Sequence, residues 1–144
     1  MLKLMRFAIV TGALSMALLF GPASAGVAKP YGIWSMGKVT VKVANCGGEL
    51  CGNIVALSES IRKAHEGPKL DRNNPNTSKR NRPLIGLAVL MGMKPAGGGR
   101  WRGSVYNPQD GNTYSATISV IGNTLTVNGC VGGTLCKSNK FARR

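Results

Sequence analysis

The sequence has little acid and almost no histidine, and both shortages limit its chemistry. Among 144 residues there are five Asp and Glu residues and a single His, His65. One His excludes a His-rich metal site and makes any Ser/His/Asp triad depend on that residue. The patterns G-x-S-x-G and H-E-x-x-H, which mark serine hydrolases and zinc peptidases, are also missing. We therefore expect no enzyme, metal or cofactor; a hydrolase that uses His65 is the alternative.

The first 25 residues have the layout of a secretory signal peptide. A short basic segment precedes the apolar stretch 7–20, and small residues at 23–25 supply a cleavage site. A helix over that stretch rises about 21 Å, which is too short to span a hydrocarbon core of about 30 Å. We therefore predict that residues 1–25 are a cleaved leader and that 26–144 form one periplasmic or secreted domain.

The four cysteines occur as two tight pairs, and each pair brackets a Gly-Gly dipeptide. The pairs are Cys46 with Cys51 and Cys130 with Cys136. Four cysteines allow three connectivities. The local pairing is favoured because two cysteines that flank a hairpin turn can lie opposite each other at bridging distance. Neither pair has the C-x-x-C spacing of redox or zinc sites, so we predict structural disulfides.

Short apolar-polar alternations separated by Gly-rich turns run along the whole chain. This pattern predicts about eight strands in meander order and therefore an all-β protein, an antiparallel up-and-down barrel or sandwich. Strands are expected at 31–36, 38–43, 53–57, 84–91, 101–107, 112–120, 124–127 and 137–143.

The best-defined element is a hairpin over residues 101–118. Pro108 suits the first position of a type I turn, and Gly111 suits a left-handed closing residue. A four-residue loop then places Asn107 opposite Asn112 and puts the apolar side chains on one face. The alternate, outward face is predicted to carry Arg102, Ser104, Tyr106, Thr113, Ser115 and Thr117.

Three aromatic residues, Trp34, Trp101 and Tyr114, are predicted on inward strand faces. They offer broad apolar contact with polar edges, so they suit the wall of a pocket for a small ligand. The alternative is that they only fill the interior. We predict non-catalytic binding of a small apolar or amphipathic envelope ligand by these three residues.

A long polar segment, 58–83, interrupts the strands and begins with a predicted short helix at 59–66. It is either a lid or a surface loop. Lys79, Arg80 and Arg82 are candidates for contact with an anionic surface, since the whole chain carries a net charge of +14. The second function predicted is therefore a cationic adaptor that binds an anionic envelope component or a protein partner through this segment. We predict no nucleic-acid partner, because nucleic acid does not fit the compartment of an exported protein and the sequence has no aromatic recognition run of the K/R-G-F type.

The strand expected after this segment is apolar on both faces. Ile85, Leu87, Val89 and Met91 would all point outward, and such a row seldom stays uncovered. The short helix or a second copy of the chain would cover it. We expect a monomer, with a dimer through 85–91 as the alternative.

Several segments of the mature chain together resemble one exported bacterial family, that of domain of unknown function 2147. They are C-G-G-E-L-C-G-N-I-V-A-L (46–57), N-N-P-N (73–76), R-P-L-I-G-L-A-V-L (82–90), W-R-G-S-V-Y-N-P-Q-D-G-N-T-Y-S-A (101–116) and G-C-V-G-G-T-L-C (129–136).

The resemblance implies a small up-and-down β-barrel with a lipocalin- or calycin-like outline, in the periplasm or secreted. Gly32-x-Trp34 resembles the lipocalin opening motif, in which the Trp packs against a basic residue from the end of the barrel. Arg143 is the candidate for that role. The family carries no established catalytic residues, so the resemblance implies none here.

Overall fold

The computed structural model describes residues 21, 28–64, 67 and 69–144. It is a closed barrel in which eight antiparallel strands pair in chain order and the last strand returns to the first. The strands are β1 (Gly32–Met36), β2 (Val39–Cys46), β3 (Glu49–Leu57), β4 (Ala88–Pro95), β5 (Arg100–Asn107), β6 (Asn112–Ile121), β7 (Thr124–Val131) and β8 (Leu135–Arg143). The prediction of an all-β meander barrel is confirmed.

Among the described residues, helical structure is confined to the connection between β3 and β4. It consists of helix α1 (Glu59–Lys63) and one 3-10 turn (Thr77–Lys79). The rest of the helix predicted at 59–66 includes His65, which lies outside the described residues, as does all of the predicted leader except Gly21. Within the described part of the chain, neither helix has the length and apolarity needed to cross a membrane.

The β5–β6 hairpin has the predicted register. Asn107 pairs with Asn112 and Trp101 with Ile118, so the four-residue loop is confirmed. Gly111 closes the turn at a φ of +73° by donating its N–H to the Asn107 carbonyl oxygen, 2.8 Å away. Glycine suits this position because other residues pay a steric penalty at positive φ.

Because every pair of neighbouring strands is antiparallel, successive connections alternate between the two ends of the barrel. The mouth end carries the connections 37–38, 58–87, 108–111 and 132–134. The floor end carries the connections 47–48, 96–99 and 122–123 together with the start of β1 and the end of β8. Inward side chains of all eight strands form one core, with Trp34, Met93 and Ile118 fully buried.

The strand predicted from residue 84 begins at Ala88 instead. Residues 84–87 form a turn with Gly86 at a φ of +93°, and the pairing shifts register where Gly52 meets β4. Val89 lines the cavity inside the barrel, so the prediction that it faces outward is wrong, and Leu87 is buried by the protein's own chain. Ile85 and Met91 are exposed, by 52% and 36%. Helix α1 buries none of its residues.

Both disulfides are local, as predicted, and they lie at opposite ends of the barrel. Cys130 and Cys136 are directly paired residues on β7 and β8 at the mouth end. At the floor end, a two-residue turn pairs Cys46 with Glu49, so Cys46 does not face Cys51 directly. The bridge between them runs diagonally across the hairpin, with a Cα–Cα distance of 5.9 Å. The predicted direct opposition of Cys46 and Cys51 is therefore wrong, although the bond is right.

Candidate functional site

The interior of the barrel contains a cavity of about 500 Å³. Turn residues 107–110 and residues 135–137 surround its upper part, so it opens at the mouth end. Small-molecule sites usually enclose about 300–1,000 Å³ and are mostly apolar. The walls here fit that description, and their apolar side chains include Val39, Val41, Val43, Ile54, Val89, Leu90, Val105, Leu125, Val127 and Phe141.

Trp34 forms the floor of this cavity, as its prediction as a pocket wall requires. Its side chain is fully buried, and its Nε1 donates to the Pro30 carbonyl oxygen at 2.7 Å. The guanidinium of Arg143 stacks on the ring with 4.1 Å between the guanidinium carbon and the ring centroid. The packing of Arg143 against Trp34, expected from the resemblance, is therefore confirmed.

Arg143 is held in place by backbone acceptors. Its Nη1 donates to the Tyr31 carbonyl oxygen at 2.9 Å and its Nη2 to the Lys29 carbonyl oxygen at 2.6 Å. Gly32, at a φ of +128°, leaves room for it, because a Cβ there would lie 3.1 Å from Nη1. These contacts close the floor end beneath Trp34, so the cavity is accessible from the mouth end.

Tyr114 lies at the rim of the cavity, on the inward face of β6. Its hydroxyl donates to Oδ2 of Asp110 at 2.6 Å, and Asn107 Nδ2 donates to the same oxygen at 3.0 Å. The bond to Asp110 raises the pKa of Tyr114, with a smaller contribution from burial. Burial raises the pKa of Asp110, but the hydrogen bonds it accepts outweigh burial and lower it. The rim therefore presents an ionised carboxylate at neutral pH.

Two polar side chains of β8 interrupt the apolar wall. Asn139 faces Val127 and Lys137 faces Gly129 across the β7–β8 pairing, and all four residues line the cavity. Within the described residues, the Asn139 carboxamide makes no side-chain hydrogen bond and Lys137 makes no ion pair. The sequence analysis did not identify them because polar residues occur on both faces of β8, so the alternation of apolar and polar residues did not show which face points inward.

Trp101 is not part of the cavity wall. It pairs with Pro95 and Ile118 beside the 96–99 connection and is half-buried against the core at the floor end. Its side chain is on the inward face of β5, as predicted, but it lies too near the floor end of the barrel to reach the cavity. The structure thus brings Trp34 and Tyr114 to one cavity and leaves Trp101 outside it.

A second polar centre lies on the outside of the barrel, where Tyr106 was predicted to face solvent. Tyr106 is buried beneath the 69–83 segment, and its hydroxyl donates to Oδ1 of Asp71 at 2.6 Å. Asn74 Nδ2 and Arg82 Nε donate to Oδ2 of Asp71 at 2.9 and 3.0 Å. We term these four residues the Asp71 cluster. The outward exposure predicted for Tyr106 is wrong because this segment covers it.

The Asp71 cluster has shifted pKa values that reflect its burial. Burial raises the pKa of the Asp71 carboxyl, but three side-chain hydrogen bonds and the charge of Arg82 lower it to below its usual value. Burial and the Asp71 carboxylate both raise the pKa of Tyr106. The cluster is therefore an ionised carboxylate whose oxygens are satisfied by protein donors, and it holds the 69–83 segment against the barrel.

The predicted anionic-surface residues are partly engaged in holding this segment. Arg82 forms the ion pair with Asp71, and Arg80 Nε donates to the Asn74 carbonyl oxygen at 2.7 Å. Lys79 is exposed in the 3-10 turn. Asn73 Nδ2 also donates to the Pro108 and Gln109 carbonyl oxygens. No described residue of 58–87 lines the cavity, and the contacts of residues 71–82 hold that part of the segment on the outer wall, so this described part does not form a lid over the mouth.

Nothing in the described residues assembles a metal site, since no three His, Cys, Asp or Glu residues cluster there. His65 lies outside the described residues, so the alternative of a hydrolase that uses it stays a prediction.

Comparison with known proteins agrees with this geometry. A family model described as an uncharacterized protein conserved in bacteria (DUF2147) matches residues 32–143. Among solved structures, the chain is similar to protein HP1028 from Helicobacter pylori, which is described as belonging to the lipocalin family. The TM-score is 0.67 at 21% identity, over 81% of this chain and 83% of that one. No curated protein matches the chain. The structural likeness shows a lipocalin-like fold.

Proposed function

The chain belongs to the DUF2147 family, and from this premise we propose that it is an exported protein that binds a small apolar or amphipathic molecule in its barrel without transforming it. The observation that carries the proposal is the cavity of about 500 Å³, closed at the floor by Trp34 and open at the mouth. An apolar cavity of this size favours a ligand that removes its walls from water, at about 25 cal/mol per Å² of apolar surface.

The arrangement of polar groups supports an amphipathic ligand over a purely apolar one. Apolar side chains surround the deep part of the cavity, whereas Asn139 and Lys137 face the part nearer the mouth. Asn139 is half-buried and its carboxamide has no side-chain hydrogen bond among the described residues, so a ligand group that bonds it adds a net contribution of about 0.5–1.5 kcal/mol. We infer that the apolar part of the ligand points to Trp34 and an acceptor group points to Asn139 and Lys137.

The cysteines support the exported location. Both pairs form disulfides, and no free cysteine remains among the described residues. Disulfides persist in oxidising compartments such as the bacterial periplasm and are rare in the cytosol. Together with the leader predicted at 1–25, this composition favours a periplasmic or secreted protein.

Filling the cavity tests the proposal. Gly129→Leu places a side chain inside, next to Val105 and Tyr114, whereas Ser115→Leu adds the same bulk on the exposed outer face. We expect Gly129→Leu to weaken binding of the apolar dye N-phenyl-1-naphthylamine by about tenfold or more, since each tenfold corresponds to about 1.4 kcal/mol. Ser115→Leu should retain wild-type affinity. Thermal unfolding verifies that both variants are folded.

The polar end of the site has its own test. Dodecanoate and dodecanol, which share a chain and differ in the head group, are used to displace the dye. Lys137→Met should weaken displacement by dodecanoate more than by dodecanol, because only the former has a charge to pair. If the dye binds Gly129→Leu and wild type equally, the cavity is not the binding site and the proposal fails.

A further inference from the structure

The outer wall of β5–β8 carries a polar groove that is separate from the cavity. Its volume is about 820 Å³, and the glycine-rich turn 96–98 forms one side of it. The side chains that line it alternate with those of the core, so they belong to the outward face of the same strands. A ligand in this groove therefore does not compete for the cavity.

The strand register arranges the groove residues in two cross-strand rows. The first row runs through directly paired residues in the order Arg102, Thr117, Asn128 and Ser138. The second runs through Arg100, Ser119 and Thr126, and Lys140, the residue paired with Thr126 on β8, extends this row just beyond the groove lining. At about 4.8 Å between neighbouring strands, each row is about 14 Å long, and the rows lie about 7 Å apart.

Each row has hydrogen-bonding groups in the middle and a cation at one or both ends. Ser138 Oγ donates to Asn128 Oδ1 at 3.1 Å, which leaves the amide nitrogen of Asn128 without a protein partner among the described residues. Thr117 and Thr126 are half-buried, and both line the groove. The rows thus present donors and acceptors at the regular spacing of paired strands.

The cations of the groove are not neutralised by the protein. Arg100, Arg102 and Lys140 make no ion pair within the described part of the chain. The described side-chain carboxylates are all engaged elsewhere: Glu49 with Lys94, Glu59 with Lys63, Asp71 with Arg82, and Asp110 with Tyr114. In this respect the groove differs from the 69–83 segment, where Arg80 and Arg82 are held by the protein itself.

We propose that the groove binds a linear anionic glycan, a chain of hydroxyl-bearing sugars that carry carboxylate or phosphate groups. The hydroxyl and amide side chains in the rows both donate and accept hydrogen bonds, as the hydroxyls of sugar units do. The cations at the row ends pair with the anionic substituents through charge-assisted hydrogen bonds. The groove has no aromatic or large apolar side chain, so its chemistry does not fit a lipid tail or an apolar protein surface.

The first experiment compares four polymers by calorimetry at about 150 mM salt, where exposed charges more than about 8 Å apart are screened. Polygalacturonate carries carboxylates, phosphomannan carries phosphates, dextran is neutral and polyphosphate has no sugar. We expect one or both anionic glycans to bind at least about tenfold more tightly than dextran and polyphosphate do, and the tighter glycan identifies the substituent. If neither anionic glycan binds, or if polyphosphate binds as tightly, the proposal is overturned.

The second experiment locates the site with charge-matched variants. The triple variant Arg100→Ala/Arg102→Ala/Lys140→Ala should weaken glycan binding at least about tenfold. The control Lys38→Ala/Lys42→Ala/Arg72→Ala removes the same charge from exposed positions outside the groove and should weaken it less than about threefold. Equal losses in the two variants would mean that the overall field binds the polymer, which contradicts a built site.

The third experiment separates glycan recognition from simple counter-ion binding. Thr117→Val/Thr126→Val keeps the shape and charge of the groove but removes two hydroxyls. We expect glycan affinity to fall about threefold to tenfold, at about 0.7–1.4 kcal/mol of lost hydrogen bonding, while the weak binding of polyphosphate is unchanged. Unchanged glycan affinity in a variant that unfolds like the wild type would refute the role assigned to the rows.

Discussion

The barrel contains two tyrosine–aspartate pairs with the same hydrogen bond in different surroundings. In both, the tyrosine hydroxyl lies 2.6 Å from the carboxylate: Tyr106 with Asp71, and Tyr114 with Asp110. Asp71 is fully buried and also accepts from Asn74 and Arg82, whereas Asp110 is exposed in the 108–111 connection.

The difference shows that burial, and not hydrogen-bond length, decides what such a pair does. When one partner of a buried pair is removed, the other has no water to replace it, at a cost of about 1–3 kcal/mol. The Asp71 pair therefore fixes the 69–83 segment to β5. Water replaces either partner of the exposed Asp110 pair, so that pair shapes the rim without holding the fold together.

The largest effect is expected at Gly111, where the turn that carries Asp110 contacts the segment that carries Asp71. A Cβ on Gly111 would collide with the Asn73 carbonyl oxygen and would also occupy a positive φ. We expect Gly111→Ala to lower the free energy of unfolding by about 3–4 kcal/mol, through backbone strain and displacement of the segment. Gly122→Ala is the control, because Gly122 has a φ of +56° but open space around its Cβ position, and about 1–2 kcal/mol is expected there. Equal losses by urea unfolding would mean that the contact with Asn73 is unimportant.

A matched pair of hydroxyl deletions tests the comparison directly. Tyr106→Phe should cost about 1–2 kcal/mol of unfolding free energy, because Asp71 loses a donor and Asn74 loses an acceptor in a buried site. Tyr114→Phe should leave the unfolding curve unchanged, since water replaces its hydroxyl. Chemical unfolding at neutral pH measures both. A larger loss from Tyr114→Phe would reverse the ranking of the two pairs.

The smallest effect is a difference in acid sensitivity. The pKa of Asp71 is lower in the folded protein than in the unfolded chain, so its contribution to stability is present above the unfolded value of about 4 and is lost as pH falls through the folded value. Below pH 5, Asp71→Asn should therefore show a shallower fall in unfolding free energy than wild type. Asp110→Asn should follow wild type more closely, because the exposed pair is screened by solvent. Parallel profiles for wild type and Asp71→Asn would contradict this assignment.

The sequence predicted the β5–β6 hairpin and both disulfides because the interactions that specify them are local. Pro108 and Gly111 set the loop length, and the loop length sets the register of every pair that follows. No local sequence pattern of this kind predicted the Asp71 cluster. Asp71 and Tyr106 are 35 residues apart, and strand alternation assigned Tyr106 to solvent, since alternation does not show what else the chain lays over a sheet.

The cavity was predicted only in part, for a related reason. Alternation shows which face of a strand a side chain occupies, but not how far along the barrel axis it lies. Trp34 and Trp101 both point inward, yet only Trp34 reaches the cavity, because Trp101 lies beside the floor-end connection 96–99. Asn139 was missed because a polar residue on a polar strand carries no directional signal.

The pairing of β1 with β8 also determines how this protein can be attached to something else. Trp34 lies opposite Arg143, and Arg144 donates its N–H to the Ile33 carbonyl oxygen, so the polypeptide starts and finishes the barrel at one pole. A tag, tether or fusion partner joined after Arg144 consequently sits at the pole remote from the opening. Molecules immobilised in this way present an unobstructed aperture to the surrounding solution.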